Sequence, residues 1–348
     1  MTTAAIFAIP GDLDTLTGGY GYDRRVLEQA AGRLQYMQLP GDFPDPSSAD
    51  LARAMSQLRA TPRDTVLLVD GLAYGALPGD ALATIPNPIV ALTHHPLGLE
   101  TGLDEATRQR LIDTERMALA RANAVIVTSQ TTRDTLIGDF AVPASRIAIA
   151  EPGVDPAPRA QGSGGATPLL LAVGSLIPRK GYDVLIDALT RLRALDWRLR
   201  IVGGARAPDC AEALRAQVAA AGLGERIVFA GEMPPDRLAE EYAAADVFTL
   251  SSHYEGYGMV LAEAMARGLP IVTTTGGAAD KTAPDEAALK VPPGDAVAMT
   301  QALARVLGEP ALRARLAEAS WRAGQSLPRW NDCAATVLAV IERVRTAG

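Results

Sequence analysis

The sequence predicts an α/β protein made of two doubly wound domains with parallel sheets. Three observations carry that prediction. Short β-rich apolar runs alternate with longer amphipathic stretches along all 348 residues, the pattern of parallel strands joined through helices and covered on both faces. A chain of this length can bury two cores of ordinary domain size. A Pro-, Gly- and Ser-rich run, DPAPRAQGSGGATP over 155–168, interrupts the alternation, which restarts with LLLAVGS.

In the first half, strands are expected at Ala4–Ile9, Thr65–Val69, Ile89–Leu92, Ala124–Val127 and Ile147–Ala150, with helices at Arg24–Gly32, Ala49–Arg59 and Glu105–Arg121. In the second half, strands are expected at Leu169–Val173, Arg198–Val202, Ile227–Ala230, Val247–Leu250 and Ile271–Thr274. Helices fit Asp183–Leu195, Asp209–Ala221, Pro235–Ala244 and Val260–Arg267. The 155–168 run reads as an exposed linker, so the domains are set at 1–160 and 161–325. Ala311–Arg345 reads as helical with a break at Pro328. Its last part, 326–348, either caps the second domain or, more specifically, packs back on the first. Two such domains facing one another place a central cleft at the carboxyl ends of both sheets, where sheets of this kind bind ligands.

Composition narrows the function classes. With 48% apolar and 21% charged residues the chain has the make-up of a soluble globular protein. No segment reaches the roughly 20 unbroken apolar residues of a membrane span. The start, MTTAAIFAIPGD, has no basic region before a long apolar stretch, so no signal peptide is expected and the cytoplasm is the expected location. Cys210 and Cys333 lie far apart and read as structural thiols, and three histidines, His94, His95 and His253, are too few for a histidine zinc site. Net charge is −7. Residues 1–160 carry 13 Arg and no Lys against 19 acidic residues, while the remainder balances 20 basic against 21 acidic. The missing basic face disfavours nucleic acid as a partner. The acidic first half gives no general attraction to anionic lipid, so peripheral membrane contact has no support from charge.

The chemistry concentrates in residues 250–274, LSSHYEGYGMVLAEAMARGLPIVTT. A strand ends near Leu250, a Gly-containing loop follows, and a helix begins around Met259. The free N–H groups of its first turn form a ready site for phosphate. Glu255 precedes that turn. Glu263 lies one turn inside the helix among small and apolar neighbours, where a carboxylate is costly to bury unless it accepts hydrogen bonds. Hydroxyl donors such as those of a ribose satisfy it without a counter-charge. The plain alternative is two solvated helix-end glutamates, with Glu255 favoured by the helix dipole. In LLLAVGSLIPRKGYDVLIDAL, 169–189, Arg179 and Lys180 occupy a strand-to-helix loop, as ordinary solvated cations or as partners for a diphosphate leaving group.

Glu255 and Glu263, with seven residues between them in the frame EGYG and EAMARGLPIV, resemble the signature of the retaining glycosyltransferases of GT-B fold that carry a paired-glutamate motif. The resemblance covers most of 120–310 and is strongest over 169–295. It implies two Rossmann-like domains, with the donor bound in the second and the acceptor in the first. It gives Glu255 the hydroxyls of the transferred sugar and Glu263 the nucleotide ribose, with Gly256, Tyr257, Gly258, Met259 and Val260 at the donor between them. Arg179 and Lys180 stand where the family binds the diphosphate. Ser175 departs from the arginine many members carry after the strand's glycine, which shifts phosphate load to Arg179. FAGEMPPDRLAEEYAAADVFTL, 229–250, resembles the stretch whose first loop, here Gly231, Glu232 and Met233, meets the base. TTTGGAAD leading into VPPGD resembles the end of the donor site.

In the first half, Gly18 and Gly19 resemble the family's glycine loop near the donor phosphates, although plain turns use glycine pairs as often; they do not form the dinucleotide fingerprint. Arg24 and Arg25 follow and read as solvated rather than as contacts to an anionic acceptor. In IVALTHHPLGLE, 89–100, the T-x-H alignment favours His95 over His94 as the histidine that members carry after this strand, and His253 reads as support for the Glu255 loop. The resemblance implies transfer with retained configuration by front-face attack, the departing phosphate taking the acceptor proton. Lacking an Asp-x-Asp run, the chain is expected to need no metal and no cofactor beyond a nucleotide sugar, with UDP preferred. The acceptor is a saccharide, a glycolipid or a small molecule. The alternatives are a nucleotide-sugar epimerase of the same fold and a non-catalytic binding partner; an oxidoreductase lacks its fingerprint.

Overall fold

Continuous apolar strands need cover on both faces, and the strands of this chain receive it. The computed structural model describes residues 5–347; Ala4, the expected start of the first strand, lies outside them. The strands are β1 Ala5–Pro10, β2 Leu34–Leu39, β3 Val66–Asp70, β4 Ile89–Thr93, β5 Ala124–Val127 and β6 Ile147–Ile149, then β7 Leu169–Val173, β8 Arg198–Val202, β9 Ile227–Gly231, β10 Val247–Leu250, β11 Ile271–Thr274 and β12 Ala288–Val291. They form two six-stranded sheets in the orders β2-β1-β3-β4-β5-β6 and β12-β11-β10-β7-β8-β9. Every pairing is parallel, as in Leu68 with Phe7 and Val90, or Phe248 with Leu171 and Ile271. Each sheet therefore reverses its strand order between its first strand and a neighbour, the position at which doubly wound sheets take ligands at their carboxyl ends.

Residues up to Gly153, together with those from Pro328 on, form one compact unit, and Val154–Leu327 form the other. The division comes earlier than residue 160 because the Pro/Gly-rich run is not a free linker. Ala160 N–H donates to the Arg267 carbonyl (2.8 Å), Gln161 N–H to that of Ala243 (2.9 Å), and Asp246 accepts from Ser163 N–H (3.3 Å). Proline and glycine marked irregular backbone correctly, but its amides are satisfied by the second unit.

In the first unit the fully buried β3 and β4 are flanked by apolar helix faces that include Met55, Leu58 and Leu119. The helix Trp330–Ala347 packs on the helix Gly18–Gln29, burying Val337 and Ile341, and Trp330 meets the Tyr22 ring edge-on at 5.8 Å. The second unit is centred on Leu170, Leu185, Ile201 and Trp197; the Trp197 indole N–H donates to the Leu192 carbonyl (2.9 Å). Of the described helices, none is long and apolar enough to cross a membrane.

Candidate functional site

In the second unit, β7 delivers the chain to a 3-10 turn, Pro178–Lys180, and β10 delivers it to the loop before the helix Met259–Ala266. The two loops join: His253 N–H donates to the Arg179 carbonyl (2.8 Å), and the Ser251 hydroxyl donates to that of Lys180 (2.9 Å). This brings the predicted residues together. Glu255, 6% exposed, accepts at Oε1 from Lys180 Nζ (2.6 Å) and from the Ser252 hydroxyl (2.5 Å). Arg179 Nη1 lies 3.7 Å from Oε2 and donates to the Tyr254 carbonyl (2.9 Å). Burial alone raises the pKa of such a carboxyl. The charges of Lys180 and Arg179 and the hydrogen bonds from Lys180 and Ser252 outweigh it and hold Glu255 below the usual carboxylate range.

Gly258 ends the loop with φ +90° and is the N-cap of the helix, which has no side-chain cap. A glycine is needed there because the left-handed region excludes most side chains. The Leu261 amide donates to the Gly258 carbonyl (2.8 Å), and the amides of Met259 and Val260 before it remain for a ligand. Tyr257 is buried beside Ala262 and Ala266, with Met259 against the same cluster, and Val260 is half-buried. Glu263 is half-buried, and its Oε2 accepts from the Tyr242 hydroxyl (2.7 Å). Burial raises its pKa; the Tyr242 bond and Arg267 act against that shift. Gly231 and Glu232 are exposed at the end of β9, Met233 is half-buried, and Glu232 pairs with Arg206.

In the first unit Gly18 and Gly19 are the first residues of a helix capped by the Thr17 hydroxyl (3.4 Å to Tyr20 N–H). Gly19 lies beside the ring of His94. His95 follows β4 half-buried. His94 meets two carboxylates: Nε2 lies 3.2 Å from Asp23 Oδ1 and 3.4 Å from Asp70 Oδ2. One ligand atom from each of the three lies within 4.8 Å of the others, and the contacts are direct ion pairs. Arg24 turns to the Leu13 and Thr15 carbonyls, and Arg25 pairs with Glu28 and stacks on Trp330.

Residues 22–158 match the family model Glycosyltransferase Family 4, and residues 167–309 match the model Glycosyl transferases group 1. The chain belongs to the glycosyltransferases. Mannosylfructose-phosphate synthase of Agrobacterium fabrum is 30% identical over 269 residues, 72% of this chain and 59% of that protein. The chain thus spans less than two thirds of that relative's length. Sucrose-phosphate synthase from Thermosynechococcus elongatus superposes with a TM-score of 0.83 at 21% identity, over 99% of this chain and 100% of that one. Anabaena HepE, solved in complex with UDP-glucose, superposes with a TM-score of 0.76 at 17% identity, over 98% of both chains. The fold is therefore the GT-B type.

Several residues of this glycosyltransferase's candidate sites were not singled out in the sequence. Ser252 and Tyr242 complete the settings of Glu255 and Glu263. Ser252 could have been found, lying three residues from Glu255. Asp23 and Asp70 have no local signal, since they converge only when β3 and the first helix pack. Glu115, 1% exposed, accepts from Leu97 N–H (2.8 Å) and so holds the turn after the two histidines. Burial pushes its carboxyl from 4.5 up to about 8, the Leu97 bond opposing. A carboxyl raised in the folded state stabilises most below its unfolded value, and that stability is lost as pH rises toward the folded value. Glu115→Gln is therefore expected to flatten the decline in the first unit's stability between pH 4.5 and 8. The loss removed by pH 8 is a few kcal/mol, at about 1.4 kcal/mol per pH unit, and thermal unfolding of both proteins at pH 5 and pH 8 checks it.

Proposed function

We propose that this chain is a retaining glycosyltransferase, acting in the cytoplasm, that moves a sugar from a nucleotide-diphosphate donor to an acceptor hydroxyl without a metal. The observation that carries this reading is the second unit's constellation. A buried carboxylate, Glu255, is kept ionised by Lys180 and Arg179, beside an uncapped helix start whose next turn bears Glu263. Two cations and a set of backbone amides suit a diphosphate, whose charge grows as it leaves. On donor binding Lys180 exchanges Glu255 for phosphate, which frees Glu255 to accept from the hydroxyls of the transferred sugar. Glu263, raised by burial, accepts from the neutral ribose hydroxyls.

In the transfer, the bond between the anomeric carbon and the diphosphate oxygen breaks while the acceptor oxygen adds from the same face. The acceptor's proton passes to the departing phosphate, so no side chain has to act as base. UDP is the preferred nucleotide, a reading supported by the UDP-glucose complex of the HepE neighbour. A saccharide, a glycolipid or a small molecule serves as acceptor; sugar phosphates are the first to try, given the names of the two synthase relatives.

Binding and slow hydrolysis of a panel of UDP-, GDP- and ADP-sugars test the reading, with Glu263→Ala as control. Selective use of one donor, weakened at least tenfold by the substitution, is expected. Folded protein that binds no nucleotide sugar would refute it. Inverted configuration in the product by NMR would overturn retention, and complete loss of turnover in EDTA would overturn the metal-free mechanism.

A further inference from the structure

Glu263 is tied at one oxygen. The Tyr242 hydroxyl donates to Oε2 (2.7 Å), and no described residue donates to Oε1. Tyr242 belongs to the helix Pro235–Ala244 and is 1% exposed. Its ring stacks on Phe248 of β10 with centroids 5.8 Å apart and planes 23° apart. The Arg267 guanidinium lies over the same ring at 4.7 Å and donates from Nη1 to the Glu263 carbonyl (3.0 Å). Packing therefore locks the phenol, which makes its hydroxyl a directed donor. The other acceptor within its reach is the Val260 carbonyl, farther away at 3.5 Å.

A carboxylate that is to accept from neutral hydroxyls needs its charge and a fixed direction. Burial works against the charge. The titratable and charged groups facing the pair are Arg267 and Asp155 about Glu263, and Arg267 and Tyr182 about Tyr242. Burial, with Glu263 beside it, pushes the Tyr242 phenol well above its ordinary value, so the hydroxyl always has a proton to give. Burial raises Glu263; the Tyr242 bond and Arg267 lower it, and Asp155 raises it. Direction comes from the same bond. A carboxylate has about four lone-pair sites, and Tyr242 occupies one on Oε2. Those that remain are enough for both hydroxyls of a ribose. Without the phenol the long glutamate side chain is free to turn, and ordering it on each binding event costs affinity.

We propose that Tyr242 is a positioning residue that ties one oxygen of Glu263 and leaves the other to the donor, so that the site selects a ribonucleotide over the analogue without ribose hydroxyls. This rests on the proposed function for the presence of a nucleotide donor. It goes beyond that reading by assigning the selectivity to a hydroxyl that touches no substrate. A site built to accept from a hydroxyl rejects the analogue lacking it, because the carboxylate then gives up water and gains no bond. Tyr242, Phe248, Glu263 and Arg267 all belong to the second unit.

The test is calorimetric titration of the full chain with UDP and with the UDP analogue lacking both ribose hydroxyls, alongside the matching GDP and ADP pairs, from pH 6 to 9. The wild type is expected to bind one ribonucleotide at least about tenfold more tightly than its analogue. Tyr242→Phe keeps the ring and its stacking and removes only the hydroxyl. It should weaken the ribonucleotide roughly tenfold at pH 7 and the analogue by less than about threefold, whereas a merely structural defect would weaken both alike. Loss of the bond moves Glu263 further up, so the preference left in the variant should shrink toward pH 6 and recover toward pH 9. The phosphates titrate alike in both ligands and cancel from the ratio. Glu263→Ala should remove the preference, and adding Tyr242→Phe to it should take away nothing more, since one residue acts through the other. Equal binding of a ribonucleotide and its analogue by the wild type overturns this proposal and leaves the donor site standing, a result readable even if the variants fail to fold. A Tyr242→Phe protein with the wild-type preference at every pH, or additive losses in the double variant, would remove Tyr242 from the selection. If none of the nucleotides binds, the proposed function fails and this inference with it.

Discussion

Lys180→Ala is expected to weaken donor binding beyond detection and to destabilise the second unit by about 3 kcal/mol, the cost of leaving a buried charge without its main partner. Lys180 and Glu255 are both nearly buried, at 2.6 Å, and Arg179 is farther away at 3.7 Å. Removing Nζ leaves Glu255 with one hydroxyl and a longer ion pair, so burial comes to dominate its acidity. The sign of the pH dependence follows. In the wild type Glu255 is lowered when folded, so its contribution is present above the unfolded value of 4.5 and is lost as pH falls through the folded value. In the variant that contribution is missing, so the deficit is largest at neutral pH and shrinks below about pH 4.5. Adding Glu255→Gln should restore much of the stability by removing the orphaned charge, since contacting residues are energetically coupled. It should not restore turnover, which lacks both the cation and the carboxylate; losing one such stabiliser costs on the order of 10²–10³ in kcat. Calorimetry of the three proteins at pH 4 and pH 7, with donor titrations, separates the two effects. A variant that binds donor normally would remove Lys180 from the diphosphate site.

The strands most plainly legible in the sequence are the ones buried on both faces, while the edge strands β6 and β9 are legible from their short apolar runs alone. VLLVD and IVALT are continuous apolar runs because helices cover both sides. The two strands missed, β2 and β12, lie at the edges of their sheets. LQYMQL is exposed along its middle, and ALKV carries Lys290, which reaches Asp285 and Asp280; neither shows the signal of a covered strand. The first helix was placed late, at Arg24, since GGYGY has poor helix propensity and is started by the Thr17 cap. The same distinction separates the two candidate sites. Glu255, Glu263, Arg179 and Lys180 stand in two short segments whose spacing sequence displays. His94, Asp23 and Asp70 come from three elements, and only the order β1-β3-β4 brings them together.

Gly277→Ala is the second change expected to be severe, although it removes no chemical group. Gly277 has φ +64° and pairs with Glu255 as an isolated parallel bridge. The Ala278 amide next to it donates to the Glu255 carbonyl (2.8 Å), and the Glu255 amide donates to that of Gly276 (3.2 Å). A Cβ at 277 would fall on the Glu255 carbonyl oxygen and within 3.0 Å of its amide nitrogen. Both neighbours are backbone, so neither can swing aside. The left-handed conformation costs an alanine roughly 1–2 kcal/mol and overpacking adds roughly 1–3 kcal/mol, or about 3 kcal/mol together. That corresponds to a fall of roughly 6–12 °C in the melting temperature of a unit this size. Gly164→Ala isolates the conformational part, because its φ is +66° and nothing lies within 4 Å of the added atom; it should cost about 1 kcal/mol and leave donor binding intact. Relief of the clash at 277 requires the Glu255 backbone to move, which draws its carboxylate away from Lys180 and the start of the helix away from the diphosphate. Even a displacement on the order of 1 Å at such a site costs about 10² in rate. Donor affinity in Gly277→Ala should therefore fall further than stability alone explains, and equal losses in the two glycine variants would show that the bridge does not set the position of Glu255.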